Sequence, residues 1–269
     1  MTASRDYIEN MPDNWSCMPM RRCVVLRQNG AWGDEVTDEE ELEGVGEYCV
    51  RAADFDYRHL RFNPIDTFVR RRYDSSSFLK VQLKEGDIVI EKSGGGEKVP
   101  VGRALRFCGN DKTAFSNFME RQRVDESLCL SKFYFYWWTA LYQHGVFTQY
   151  IKQTTGIQNL DGFTLLANEL IALPPLEEQA KIVACLESGL NRSFEEQKYL
   201  ERQIDVLERY RRSVIHEAVT KGLDPNVPMK GSGVEWIGEI PQKWKSKRLK
   251  YLTAFGNVQS LAHFHSSIA

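Results

Sequence analysis

Apolar and polar positions fall in short runs over residues 20–173, and the period changes from Leu176 to Lys221. Cys23-Val24-Val25-Leu26 and Glu47-Tyr48-Cys49-Val50-Arg51 read as short strands. Phe78 to Leu83 alternates apolar with polar, the pattern of a half-buried strand. Lys84-Glu85-Gly86-Asp87 is a turn signal ahead of the apolar run Ile88-Val89-Ile90. Lys92 to Lys98, with three successive glycines, predicts a loop, and Val99 to Phe107 another strand. Residues 131–152 have the apolar spacing of a helix pair broken at Gly145, followed by a loop at 154–160. The aromatics Phe133 to Trp138 are expected in the core, with a base-stacking platform as the alternative. The pattern as a whole predicts a mixed α/β (α+β) globular unit.

Pro174-Pro175 closes that unit, since two prolines stop a strand and can open a helix. Glu177 and Glu178 then fall in a first helical turn, where carboxylates favour the helix dipole. No proline occurs from Leu176 to Lys221, and Gly222, Pro225 and Pro228 form the stop. One uninterrupted helix here spans roughly 65 Å at ~1.5 Å per residue. Val183, Leu186, Leu190, Ser193, Gln197, Leu200, Ile204, Leu207, Arg211, Val214 and Ala218 step by alternating threes and fours, the seam of a coiled coil. Ser193, Gln197 and Arg211 weaken the seam and can fix its register. Gly189 costs ~1 kcal/mol against alanine and is a candidate bend. A lone helix gains little stability without packing an apolar face. The partner is therefore expected from another chain, giving an intermolecular coiled coil. The alternative is a helix packed on its own unit.

Composition narrows the class only a little. The 269 residues are 42% hydrophobic, 27% charged and 12% aromatic, ordinary for a globular protein of one large or two modest domains. No run approaches the ~20 apolar residues of a membrane span, and the N-terminus lacks a signal core. Membrane partners are not expected. Cys17, Cys23, Cys49, Cys108, Cys129 and Cys185 are scattered without a C-x-x-C pair, which favours reduced thiols in a cytoplasm over a zinc site.

The net charge of −2 gives no global nucleic-acid signal, but the charge is uneven. Residues 33–47 carry eight carboxylates and no base, whereas 51–123 are rich in arginine and lysine. A basic face over 51–123 is expected, an ordinary solvated surface being the alternative. Catalytic motifs are missing from the sequence. Asn63-Pro64-Ile65-Asp66 lacks the second proline and aromatic of an amino-methyltransferase motif, and Gly94-Gly95-Gly96 lies between strands instead of before a helix. There is no nucleotide P-loop and no convincing nucleophile–base set. No catalytic residue, metal ligand or bound cofactor is assigned, and the chain is read as non-catalytic.

One phrase occurs twice. Residues 6–23 (DYIENMPDNWSCMPMRRC) and 235–252 (EWIGEIPQKWKSKRLKYL) match at Ile8/Ile237, Pro12/Pro241 and Trp15/Trp244, a constant offset (241 − 12 = 229). That period is too long for a solenoid and suits a domain plus connector. Chance is the alternative.

Leu173-Pro174-Pro175-Leu176-Glu177-Glu178-Gln179 with Ile182-Val183, the long heptad, Glu217-Ala218-Val219-Thr220-Lys221-Gly222, and Gly233-Val234-Glu235-Trp236-Ile237-Gly238-Glu239-Ile240-Pro241-x-x-Trp244 resemble the conserved regions of type I restriction–modification specificity subunits. Gly86-Asp87-Ile88-Val89-Ile90, Ser93-Gly94, Gly102-Arg103 and Phe115-Ser116-Asn117-Phe118 are similar to looser motifs of that family's target recognition domains. The resemblance implies a target recognition domain over 1–175, with 1–22 the first copy of the repeat. A spacer helix follows at 176–222, then a linker and the start of a second half at 223–252, and an unpatterned tail at 253–269. Full subunits hold two recognition domains on two antiparallel helices. They direct adenine methylation and restriction through modification and restriction subunits, which carry S-adenosylmethionine and ATP with Mg.

A chain with one recognition domain and one helix is expected to act as a two-fold antiparallel homodimer of half-subunits. Such a dimer reads a split palindromic site in double-stranded DNA. Candidate DNA-binding residues are Arg70, Arg71, Arg72, Lys92, Ser93, Arg103, Asn117, Gln158 and Asn159. The dimer seam is assigned to Val183, Leu186, Leu190, Leu200, Ile204, Leu207 and Val214. A coiled-coil scaffold that does not touch DNA, and an inactive frameshifted fragment, are the alternatives.

Overall fold

Short strands interrupted by tight turns dominate the first two thirds of the chain. The computed structural model describes residues 11–109, 112–154 and 156–252. The elements in order are β1 (Ser16–Pro19), β2 (Val24–Asn29), α1 (Asp38–Leu42), β3 (Glu47–Val50), β4 (Phe55–Asp56), β5 (Arg61–Phe62), β6 (Val69–Arg71) and α2 (Ser75–Val81). Then come β7 (Ile88–Glu91), β8 (Ser93–Gly94), β9 (Ala104–Arg106), β10 (Thr113–Phe115), β11 (Met119–Val124) and α3 (Ser131–Gln143). β12 (Ile151–Thr154), β13 (Ile157–Leu160), α4 (Gly162–Asn168), β14 (Leu170–Leu173), α5 (Leu176–Lys221), β15 (Met229–Gly231) and β16 (Glu239–Pro241) complete the set. The chain divides into two compact units, up to Phe194 and from Glu195.

In the first unit an antiparallel sheet runs β2-β11-β7-β9. A second sheet, β10-β3-β6, pairs β10 parallel to β3 and β6 antiparallel to it. α3 packs on the first sheet and supplies the expected aromatic core. Phe133, Tyr134, Phe135 and Trp138 are buried, the Trp138 indole donates to Gly102 O at 2.8 Å, and the Tyr134 hydroxyl donates to Gln122 Oε1 at 2.7 Å. Truncating an aromatic of this kind costs ~3–5 kcal/mol, so α3 is what clamps the sheet.

Four local expectations are corrected. Phe78–Leu83 is not a strand: Asp74 caps a helix by accepting from the amides of Ser76 and Ser77, both at 3.0 Å, and Phe78 and Val81 face inward at helical spacing. Val99–Phe107 narrows to β9, because Pro100 lacks a donor and Gly102 sits at φ 109. The second helix after Gly145 is a single 3-10 turn, Val146–Tyr150. The loop expected at 154–160 is a hairpin, β12 against β13, with β8 paired on its other side.

α5 matches the helix read from the sequence. Its opening motif works as a clasp. Gln179 is buried, its side-chain amide donates to Leu128 O and Pro174 O, and its carbonyl accepts from Leu130 N at 2.9 Å. Gly222 ends the helix at φ 79, a left-handed position that suits glycine. Val183 packs into the core of the first unit, so the first seam position is satisfied within the chain. Leu186, Leu200, Ile204, Leu207 and Val214 are exposed.

The repeated phrase has a structural counterpart. Trp15 N donates to Pro12 O at 3.0 Å, and Trp244 N to Pro241 O at 2.8 Å. The 3-10 turn at Met20–Cys23 is matched by one at Leu249–Tyr251, again at offset 229 (249 − 20). In the first copy the Trp15 indole donates to Glu178 in the first turn of α5. In the second, the Trp244 ring lies against the position a Gly222 Cβ would take, at 3.5 Å. Each copy thus sits at one end of the helix. Ile8 of the first copy and the tail 253–269 lie outside the described residues.

Candidate nucleic-acid interface

The register of the two sheets brings several loops to one place. β2 and β7 leave the first sheet, and β11 enters it, at the same end: Asn29 lies opposite Glu120, and Glu91 opposite Met119. In the second sheet, parallel β3 and β10 both finish there, with Val50 opposite Phe115. The loops Gly30–Trp32, Arg51–Ala53, Lys92–Gly95 and Ser116–Phe118 therefore converge. Trp32, Arg51, Glu91, Ser93, Gly94, Asn117 and Phe118 line a slot between them.

The loops are tied by backbone bonds. Gly30 N donates to Met119 O, Ala31 N to Phe115 O and Ser116 N to Val50 O, all within 3.1 Å. Lys92 N and Ser93 N both donate to Phe118 O, at 3.0 and 3.1 Å. A Cβ on Gly30 would lie 2.2 Å from Ser116 O, so only glycine allows this close approach. β13 joins from the side: the Ser93 hydroxyl donates to Asn159 Oδ1 at 2.7 Å, and Gln158 Oε1 accepts from Val101 N at 3.2 Å. The Lys152 ammonium and the Thr164 amide hold the Asp161 carboxyl down at about 2, which anchors the hairpin end.

Of the sequence candidates, Ser93 and Asn117 line the slot, Gln158 and Asn159 flank it through β13, and Lys92 is tied to it by its backbone amide. Arg103 sits behind the slot, bonded to buried Glu91 at 2.8 Å. Partial burial pulls the Lys92 pKa down, with the Arg27 guanidinium adding to the effect and Glu120 opposing it. Arg70, Arg71 and Arg72 lie on and after β6, and of these Arg71 reaches the edge of the slot at Trp32. Arg70 donates to Gly44 O and Gly46 O and stacks 4.1 Å over the Tyr48 ring. Arg71 stacks 3.9 Å over Trp32, and Arg72 pairs with Glu40 at 2.5 Å.

The broad basic face expected over 51–123 is largely neutralised. Arg51 pairs with Asp54, Arg61 with Asp56, Arg106 with Glu85, and Arg121 and Arg123 with Asp87. Trp32, Arg51 and Phe118 were not among the sequence candidates; Phe118 alone carried a signal, as the end of Phe115-Ser116-Asn117-Phe118. Among the described residues no group of three His, Cys, Asp or Glu is placed to hold a metal, and no helix is long and apolar enough to cross a membrane.

No family model matches the sequence. The fold is similar to that of a chain solved in work on complex assembly and conformational transition of the type I R-M system, with a TM-score of 0.58 at 18% identity over 82% of this chain. An HsdS subunit from Thermoanaerobacter tengcongensis aligns at 20% identity over 80% of this chain and 47% of its own, TM-score 0.47. A type I S subunit from M. genitalium aligns at 17% over 81% of this chain and 48% of its own, TM-score 0.40. The likeness of fold rests on the first. The 269-residue chain spans about half of that structure, 51% of its length.

Proposed function

We propose that this chain is a DNA-recognition subunit of the type I restriction–modification class, non-catalytic itself, which directs adenine methylation and restriction carried out by partner subunits. The observation that supports this best is the likeness of fold, because it covers both the mixed α/β unit and the long helix. The slot at the strand ends supplies small polar side chains, an exposed aromatic and a rigid backbone. Lysines and backbone amides position the duplex on its phosphates, while base edges are read by polar side chains. S-adenosylmethionine, and ATP with Mg, would be bound by the modification and restriction subunits.

The helix supports an assembly role. Its exposed seam (Leu186, Leu200, Ile204, Leu207 and Val214) takes one partner helix. Two antiparallel copies bury it and place one recognition unit at each end, a two-fold dimer that reads a split palindrome. Tyr199, Val206 and Tyr210 form a second exposed stripe about 100° round the helix from the seam. This stripe is the surface we assign to the modification subunits.

Selection of bound duplexes from a random pool, with and without modification subunits, tests the reading. One enriched, interrupted palindrome is expected; no enrichment under either condition favours the scaffold alternative. Changing Leu200, Ile204 and Leu207 together to Ser is expected to turn a sedimenting dimer into a monomer with the recognition unit still folded. An unchanged dimer would move the interface elsewhere.

A further inference from the structure

Asn117 and Phe118 are the two residues at the tip of the turn Ser116–Met119, which Met119 N closes onto Ser116 O at 2.9 Å. Both are exposed, Phe118 at 49%. A single exposed aromatic is ordinary. This one differs in how it is held. Its carbonyl accepts from two successive amides of the opposite loop, Lys92 and Ser93. Its turn is anchored on each side, by Ser116 N to Val50 O and by Gly30 N to Met119 O. Those bonds fix the backbone of the turn, so the fold carries the Asn117 amide and the Phe118 ring on adjacent residues at the rim of the slot.

That pair of groups has one good match among base edges in the major groove. A carboxamide meets adenine with two bonds, accepting from N6–H and donating to N7, while thymine alone offers an apolar C5 methyl. We infer that the Asn117–Phe118 turn specifies an A·T pair: Asn117 holds the adenine edge, and Phe118 covers a thymine methyl beside it. The inference rests on the DNA-reading role proposed above. Ser93 and Asn159 are bonded to each other at 2.7 Å, and Gln158 is committed to the Val101 amide, so Asn117 is the carboxamide of this cluster left facing outward.

The test selects duplexes from a random pool with the full chain and with its Asn117→Ala, Asn117→Asp and Phe118→Ala variants. The selected site is then rebuilt with 7-deazaadenine, which lacks N7, or with uracil in place of thymine. Wild type is expected to require adenine at one position and to lose about ten- to a hundredfold in affinity when 7-deazaadenine stands there, the discrimination of one bidentate contact. Asn117→Ala should lose the preference at that position only and be indifferent to 7-deazaadenine. Asn117→Asp, an acceptor without a donor, should shift the preference toward cytosine, a gain that misfolding cannot imitate. Uracil should cost wild type affinity and leave Phe118→Ala unaffected. An Asn117→Ala selection identical to wild type overturns the inference and leaves the DNA-reading role standing. A wild-type chain that enriches no sequence, with or without modification subunits, overturns both.

Discussion

Two regions of the recognition unit carry similar polar chemistry and put it to opposite uses. The segment Arg70–Arg72 is the densest run of positive charge in the chain, yet each side chain is engaged at home: Arg70 on two carbonyls, Arg71 on an indole, Arg72 on a carboxylate. The slot at the strand ends has less charge, Arg51 and Glu91 in its lining and Lys92 on the segment next to it, but it leaves Asn117 and Phe118 outward. The acidic stretch explains the difference. Thr37 caps α1 through a reciprocal pair with Glu40, and that helix and its flanks lie against β6, where they meet the arginines. Charge written in a sequence becomes charge at a surface only where the fold withholds a counterion.

If the arginines are mostly structural, removing their partners should cost more than removing the slot's side chains. The largest effect is expected at Asp87. It is fully buried, accepts two bonds from Arg123 at 2.7 and 2.8 Å and one from Lys84 N, and lies 3.6 Å from buried Arg121. Asp87→Ala removes both bonds of the Arg123 guanidinium and the countercharge of Arg121, which keeps its bonds to Gln82 O, Lys80 O and Gln28, a loss of ~3–5 kcal/mol in urea unfolding. A loss under about 1 kcal/mol would show that the pocket rehydrates freely. Arg71→Ala comes next. Its side chain is mostly buried over Trp32, whereas its partner Glu35 is exposed, so the stacking should dominate at about 1–2 kcal/mol. Arg71→Lys should recover little of this, since an ammonium does not stack as a planar guanidinium does. Full recovery by lysine would assign the stability to charge instead. Arg72→Ala, which breaks a half-exposed pair with Glu40, should cost no more than ~1 kcal/mol.

Part of this was readable from the sequence and part was not. α5 was, because two prolines, a heptad and Gly222 mark one helix independently. The strand expected at Phe78–Leu83 failed where a period-two pattern of six residues competed with a local cap; Asp74 followed by three serines was the signal that decides it. Ser93 and Asn117 in the slot, and Lys92, Gln158 and Asn159 next to it, were legible as polar residues in loop-like segments. Their meeting was not, since it depends on β3 lying parallel to β10 and on β11 lying between β2 and β7. The fate of the arginines was hidden for the same reason. Arg72 and Glu40 stand 32 residues apart, and Arg123 and Asp87 stand 36 apart, beyond any local pattern.

Lys92 should give the smallest effect on stability and the clearest one on DNA. Its ammonium is partly buried beside Arg27 and Glu120, and among the described residues no carboxylate lies within ion-pair distance of it. Lys92→Ala removes a charge that its surroundings already disfavour, so the unfolding midpoint should barely move. If that ammonium meets a phosphate, the slope of log affinity against log salt should fall by about one, at ~0.9 per phosphate neutralised. Arg70→Ala should leave the slope alone, because its guanidinium donates to two carbonyls, and so should Arg71→Ala, because its guanidinium is held between Trp32 and Glu35. The opposite outcome, a slope set by the arginines and indifferent to Lys92, would reverse the roles of the two regions. It would mean that α1 gives way when DNA arrives, so that β6 and not the slot carries the footprint.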